Sequence, residues 1–382
     1  LILRAAAAAA QHGVRLSPQS VQQLAQASAA LPTPWPRAAR EALVSLLGAG
    51  RLAVPVWEAL DQQDVFTRLI PLWEKVRSAP HHNPVHTFTV DRHLVETAIN
   101  SSTMTRRVAR PDLLLVGALF HDIGKGYEGD HSIVGAELVK DIAPQLGFDE
   151  DEVQILSKMT RYHLLLPEMA TRRDPDDPST ISYVAGIVEN HEMLELLHSL
   201  SESDARATGP SVSSEWRMAL ISDLVRRVHA VLSGDPVPAP PELSAEQQTL
   251  ARGNGVQVIV DQASTLPMVT VAMPDQVGLL SLIAGVLAIH RLNVRTATTQ
   301  TIDNRAVSVW GVTSQFGEIP KANQLEQDLV KALNGELDIT GRLDRRYREM
   351  TKNTLKTPEP QVNVIEDASS RATVIELRAH DM

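Results

Sequence analysis

The spacing of hydrophobic and polar positions changes along this chain, and the changes divide it. Over residues 1–80 apolar positions recur at helical spacing, as in Val21, Leu24 and Ala25 and again in Leu43, Leu46 and Leu47. Pro18, Pro32, Pro34, Pro36 and Pro55 punctuate them. Ser17 before Pro18 has the form of a helix start, an N-cap followed by Pro at the first helical position. This segment predicts short helices that pack on the domain after it. Residues 81–235 read as helical almost throughout. Val90, Leu94, Val95 and Ala98 make the apolar side of one helix. The unbroken apolar run from Leu113 to Phe120, opened by Pro111 and Asp112, predicts a buried one. Asp149, Glu150, Asp151 and Glu152 suit the positive end of a further helix, which would carry Lys158, Arg161 and His163. Ala170 to Thr180 holds two prolines and reads as a polar loop. Helices resume at Ile181, and Trp216 to Val231 is the last amphipathic one.

Residues 234–247 are Pro-rich and read as a linker, with the boundary region at 236–255. Beyond it the period becomes two. Val256, Val258 and Val260 mark one strand, and Val269, Val271 and Met273 a second. Leu279 to His290 predicts a helix after the Pro274–Gly278 loop. Strands over Asn293–Ile302 and Ala306–Gln315 are joined by Asp303–Asn304, a hairpin turn signal. Lys321 to Asn334 predicts a closing helix. The opening pattern then returns. At an offset of 106 residues Val256, Val258, Ile259 and Asp261 reappear as Val362, Val364, Ile365 and Asp367, and Asp275 as Asp381. The second copy stops at Met382 and the chain does not begin with Met, so the sequence reads as a piece of a longer one. Its last strands are expected to complete the first module's sheet or to hang loose. The organisation is thus 1–80 helical, 81–235 all-α, 256–345 α+β, and 346–382 a linker with the start of a second α+β module.

Composition narrows the chemistry. A net charge of −10 over 382 residues disfavours a nucleic-acid backbone as main partner. With no cysteine there is neither a disulfide framework nor a thiolate metal site. No apolar run reaches membrane-spanning length, and the opening LILRAAAAAA, interrupted by Arg4, reads as a helix end and not as a signal sequence. Seven of the 13 histidines fall between His81 and His163, where an even spread would put about three. The buried run ends on His121 and Asp122 side by side. A His–Asp pair buried without a partner would cost several kcal/mol, and a divalent metal is the natural partner for imidazole beside carboxylate. His93 upstream and His131, His163 and Asp204 downstream are the further ligand candidates. His81, His82 and His86 read as ordinary polar residues before the first helix of this region, with His86 near the cleft rim.

The order His93, His121–Asp122, His131, His163, Asp204, with the flanking ALFHDIGKG, resembles the HD-domain superfamily of metal-dependent phosphohydrolases. The extra histidines match its two-metal members. The βαββα order of the α+β region, with Asp275 and Gly278 at the loop before its first helix, resembles the ACT domain, a ligand-sensing module. NPVHTFTVDRHL, RYHLLLPEMATRRD, SDARAT and MPDQVGLLSLIAGVLAIHRLNV extend the resemblance to the C-terminal part of the PII uridylyltransferase/uridylyl-removing family, some of whose members handle adenylyl groups. That resemblance implies a cytoplasmic hydrolase that removes UMP or AMP from the PII signal protein. Mn2+ or Mg2+ is the implied cofactor; Fe, Co or Zn would also suit the His-rich ligands. Glutamine is the implied effector, at Asp275 and Gly278. ACT modules could also bring chains together as a homo-oligomer; neither nucleic acid nor membrane is implied. Asp122 and Lys125 are the expected catalytic residues, and Arg172 and Arg173 are phosphate candidates. No Gly-Ser turn followed by paired Asp is present, so nucleotidyl transfer is not expected. The competing readings are a (p)ppGpp hydrolase, against which HDIGKG counts because acidic residues usually follow there, a general HD nucleotidase, and a non-enzymatic sensing module.

Overall fold

The computed structural model describes every residue except 28–30, 82–85, 210–211, 239–243, 264–265, 315–316, 351–360, 366–367, 370–372 and 379–382. His82, Asp367 and Asp381 therefore lie outside the described residues. Two compact units emerge, Leu1–Pro238 with Val362–Leu377, and Ala239–Gln361 with Arg378–Met382.

The first unit opens with six short helices, α1 (Ile2–Gln11), α2 (Pro18–Ala27), α3 (Arg37–Gly48), α4 (Ala53–Asp61), α5 (Val65–Leu69) and α6 (Trp73–Val76). Longer ones come next: α7 (Val90–Ser101), α8 (Pro111–Phe120), α9 (His131–Gln145), α10 (Glu150–Arg161), α11 (Leu165–Arg172), α12 (Pro178–Val188), α13 (His191–Thr208) and α14 (Glu215–Ser233). One hydrophobic core runs through them from Ile2 to Val228. At its centre lies α8, buried at every position from Leu113 to Phe120 and packed on α7, α10 and α13. A helix apolar all round belongs in such an interior. A Cβ on Gly117 would stand 2.5 Å from Met159 Cε of α10, so that flexible side chain would have to move aside.

One ion network fixes the far ends of α8 and α10. Asp149 caps α10 in a capping box with Glu152. Arg110 donates to both oxygens of Asp112, at 3.0 and 2.7 Å, and to Glu152 Oε1 at 2.6 Å. Arg40 donates to Glu152 Oε2 at 3.0 Å. The polar loop expected over 170–180 is confined to 173–177. α11 continues to Arg172, and α12 starts at Pro178 with Asp177 as its cap, accepting from the Ser179 N–H at 2.8 Å. Asp-Pro is a cap with Pro at the first helical position, so charge and proline here start a helix instead of excluding one.

The second unit begins with α15 (Ala245–Ala251) and continues with β1 (Gln257–Asp261), β2 (Met268–Pro274), α16 (Leu279–Ile289), β3 (Leu292–Ile302), β4 (Arg305–Ser314), α17 (Ala322–Leu333) and α18 (Ile339–Met350). Its sheet is antiparallel throughout, in the order β1-β2-β4-β3. Val258, Val269, Val271 and Trp310 share a core with Ile283, Val286, Leu325 and Leu329 of α16 and α17. The opposite face puts Ala272 and Val307 against Leu250 and Ala251 of α15. Central β2 is thus covered on both faces, which is why Val269 to Met273 are all buried. Asp303 and Asn304 have φ of 46° and 67°, the left-handed pair that a two-residue hairpin turn requires. Helix α18 overruns the linker expected from 346. The expectation for the last strands is corrected too. β5 (Gln361–Ile365) and β6 (Val374–Arg378) form a two-stranded sheet of their own. They repeat the β1–β2 pairing instead of joining it.

Among the described residues no single helix is long and apolar enough to cross a membrane.

Candidate metal centre

Helices α8 and α10 end at the same place, and each is followed by a histidine held in the same way. His121 comes directly after α8, and its Nδ1–H donates to Ala118 O at 2.8 Å. His163 comes two residues after α10, and its Nδ1–H donates to Thr160 O at 2.8 Å. In both rings one nitrogen satisfies a carbonyl of the last helical turn, which has no partner within the helix. That bond makes Nδ1 the donor and leaves Nε2 as the nitrogen that faces the cluster, the usual support for a metal-binding imidazole.

His93, fully buried on α7, and Asp204, on α13, bring their donors to His121. His93 Nε2 lies 3.2 Å from His121 Nε2 and 3.0 Å from Asp204 Oδ1, and His121 Nε2 lies 3.6 Å from Asp204 Oδ1. A second group forms around the other oxygen of the adjacent carboxylate. Asp122 Oδ1 stands 3.4 Å from His131 Nε2 and 3.4 Å from His163 Nε2, with no hydrogen-bond partner of its own among the described residues. Asp122 Oδ2 faces the first group, 3.6 Å from His93 Nε2 and 3.5 Å from His121 Nε2, and lies 2.5 Å from Lys125 Nζ. His93, His121 and Asp204 form one three-ligand set, and Asp122, His131 and His163 another. Donors around an ion held at about 2.0–2.2 Å stand roughly 3.0–3.6 Å from one another. These spacings, with an orphaned buried carboxylate oxygen, suit metal ligands. The cluster can therefore hold divalent metal, and Asp122 can present one oxygen to each set.

The turn between Asp122 and His131 is shaped by close backbone approach. A Cβ on Gly124 would meet His131 O at 2.1 Å and Gly135 N at 2.7 Å, and one on Gly126 would meet Lys75 O at 2.7 Å. Asp130 caps α9 by accepting from the Ser132 N–H at 2.8 Å, which places His131 at the first helical position. His131 is the most exposed ligand candidate, with 30% of its side chain accessible against 2% for His163.

Electrostatics follow from two carboxylates among these rings. Burial opposes charge on His121, yet Asp122 and Asp204 outweigh it and raise the imidazole to about 10. Burial would likewise raise Asp122 and Asp204, but the neighbouring imidazoles hold both well below the usual carboxylate range. His131 is lowered, chiefly by burial.

The other expected site residues are dispersed. Arg172 closes α11, largely exposed, with Glu168 at 3.6 Å, and Arg173 follows it. In the second unit Asp275 accepts from the Thr301 hydroxyl at 2.8 Å, and Gly278, at φ 91°, precedes α16. That φ asks for glycine, and nothing lies within 4 Å of where its Cβ would be.

Two histidines that read as ordinary polar residues in the sequence stand beside the centre. The rings of His81 and His86 stack 3.7 Å apart, and both meet His93 edge-on at 5.4 and 5.2 Å. Burial, then Lys125, pushes His81 down to about 3 and His86 down to about 4. Their crowding into the sequence before α7 is the one signal that could have found them.

Comparison with known proteins agrees with this geometry. Residues 90–204 match the HD domain family, a span that holds all six ligand candidates. The bifunctional uridylyltransferase/uridylyl-removing enzyme of Streptomyces coelicolor is 46% identical over the whole of this chain and 52% of its own length. The protein of the same name from Mycobacterium tuberculosis H37Rv is 39% identical, again over the whole chain, and 49% of its length is covered. That from Gluconobacter oxydans is 29% identical over 86% of the chain. The chain spans about half the length of these curated relatives. It carries an HD domain and is, over its whole length, similar to about half of the bifunctional uridylyltransferase/uridylyl-removing enzymes.

Proposed function

We propose that the chain hydrolyses a nucleotidyl-tyrosine phosphodiester on the PII signal protein, releasing UMP or AMP, in the cytoplasm. The observation that carries this reading is the pair of three-ligand sets joined by Asp122. Divalent ions, Mn2+ or Mg2+ in this reading, would be held by His93, His121, Asp122 and Asp204 and by Asp122, His131 and His163, lowering the pKa of a bound water and neutralising phosphate charge. Asp122 keeps the two sets in register through its two oxygens. Lys125, whose ammonium group lies against the same carboxylate, would stabilise charge developing on phosphate oxygens. The partly exposed His131 marks the side from which the phosphodiester enters. Arg172 and Arg173 would steer phosphate from α11. Glutamine would act through the second unit, its carboxylate received by free N–H groups at the start of α16 behind Gly278 and its ammonium group by Asp275. The HD-type domain at 81–235 would thus do the chemistry and the α+β module at 256–345 the sensing. ACT-type modules could also pair chains.

The test is incubation of the metal-loaded protein with uridylylated and with adenylylated PII. Release of UMP or AMP that stops with a chelator is the expected result. Pyrophosphate release from ppGpp, with neither mononucleotide released from PII, would replace this reading with a different hydrolase.

A further inference from the structure

We infer that His81, His86 and His93 form a third cation position, contiguous with the two joined by Asp122, and that it takes nitrogen-preferring ions such as Co2+, Ni2+ or Zn2+ in preference to Mg2+ or Mn2+. A ligand nitrogen from each of the three residues lies within 4.8 Å of the other two. Ligands of a tetrahedral ion stand about 3.3 Å apart, so the nitrogens close by at most about 1.5 Å, and the stacked His81 and His86 rings turn toward a common point. Three buried nitrogens here have no hydrogen-bond partner among the described residues, His81 Nε2, His86 Nδ1 and His93 Nδ1. His93 is fully buried and its Nε2 is committed to the first set, so Nδ1 is the nitrogen it has left; to ligate, Nδ1 gives up its proton to solvent, and His93 bridges the two positions as imidazolate. Orphaned polar atoms in an interior each cost about 1–3 kcal/mol and call for a partner. Three imidazoles converging on one another cannot all serve as partners, since each neutral ring has a single N–H.

The donor set decides the ion. The two sets around Asp122 contain carboxylate and accept oxygen-preferring metals, whereas this one is all imidazole, which suits Zn, Co, Ni and Cu. The inference rests on the two-position centre only through His93.

The experiment is metal content per chain by mass spectrometry after separate loading with Mn2+ and with Co2+ and removal of excess ion. Wild-type protein should retain one more equivalent of Co2+ than of Mn2+. The His81→Ala/His86→Ala protein should lose that equivalent, with its visible Co2+ absorption, and keep its Mn2+ content. Equal Mn2+ and Co2+ contents in the wild type would overturn the third position whatever the variant does. So would a double variant that holds as much Co2+ as the wild type. The Mn2+ content reports separately on the two sets joined by Asp122, so failure of that centre is seen independently.

Discussion

The first half of the centre rests on three core helices, whereas the second depends on a glycine turn and a helix start. His93, His121 and Asp204 come from α7, the end of α8 and α13, elements buried in one hydrophobic core. In the other half His163 is equally buried, but His131 stands at the first position of α9, held by the Asp130 cap and the contact with Gly124. Packing fixes the first half wherever the helices fold. The second adds a local condition that one methyl group could break. The difference teaches that the two cation positions should have unequal affinity, the inner one tight and the outer one exchangeable.

Substitution of the shared ligand should have the largest effect. Asp122→Asn should lower hydrolysis by about 10³-fold, the scale of several kcal/mol of lost charge stabilisation. It should leave far-ultraviolet circular dichroism unchanged, because α8 is fixed by apolar burial. Full activity in that variant would disprove the ligand assignment.

Gly124→Ala should separate the halves. Its Cβ would collide with the backbone of His131 and Gly135, so we expect a loss of about 1–3 kcal/mol in stability. Affinity at the outer position should fall about 10- to 100-fold, as when the support of a ligand is lost. The inner position should keep its ion. Equal weakening of both, measured by competition with a chelator, would erase the distinction.

The halves are not equally legible in sequence. The apolar run ending in His121–Asp122 announces the inner one, because a helix apolar on every side has to be buried and its terminal polar pair has to find partners. Asp204 and His93 come from the resemblance, since their distance along the chain hides that α7, α8 and α13 pack together. His81 and His86 look like ordinary polar residues because nothing local shows that the segment folds back against His93. The 170–180 stretch misleads for another reason. Its Asp-Pro pair has the composition of a loop, but its order along the chain, Asp177 before Pro178, specifies a helix start. In the second unit the strands and the Asp303–Asn304 turn are plain; near the end of the chain the separate pairing of β5 with β6 is not, because strand propensity does not name a partner.

The smallest expected effect lies at the opposite ends of α8 and α10, where the comparison can be checked away from metal. Burial would raise the Asp112 carboxyl, yet Arg110 holds it below its ordinary value. A depressed folded-state pKa contributes stability above the unfolded value, about 3.9, and loses it as pH falls through the folded one. Asp112→Asn should therefore be less stable than wild type near pH 6, by about 1 kcal/mol or less for a partly exposed pair. The gap should begin to narrow near pH 4 and close as pH falls through the lower folded-state value. A gap that persisted undiminished in acid, in urea unfolding at both pH values, would show that the carboxylate charge is not its source.

The central claim is that Asp122 joins two cation positions, one oxygen to each. Electron paramagnetic resonance of the Mn2+-loaded protein tests it most directly, because a shared carboxylate couples the two spins. The account predicts an exchange-coupled spectrum in the wild type that Asp122→Asn reduces to isolated Mn2+. A fully loaded wild type showing only isolated, uncoupled Mn2+ would contradict it.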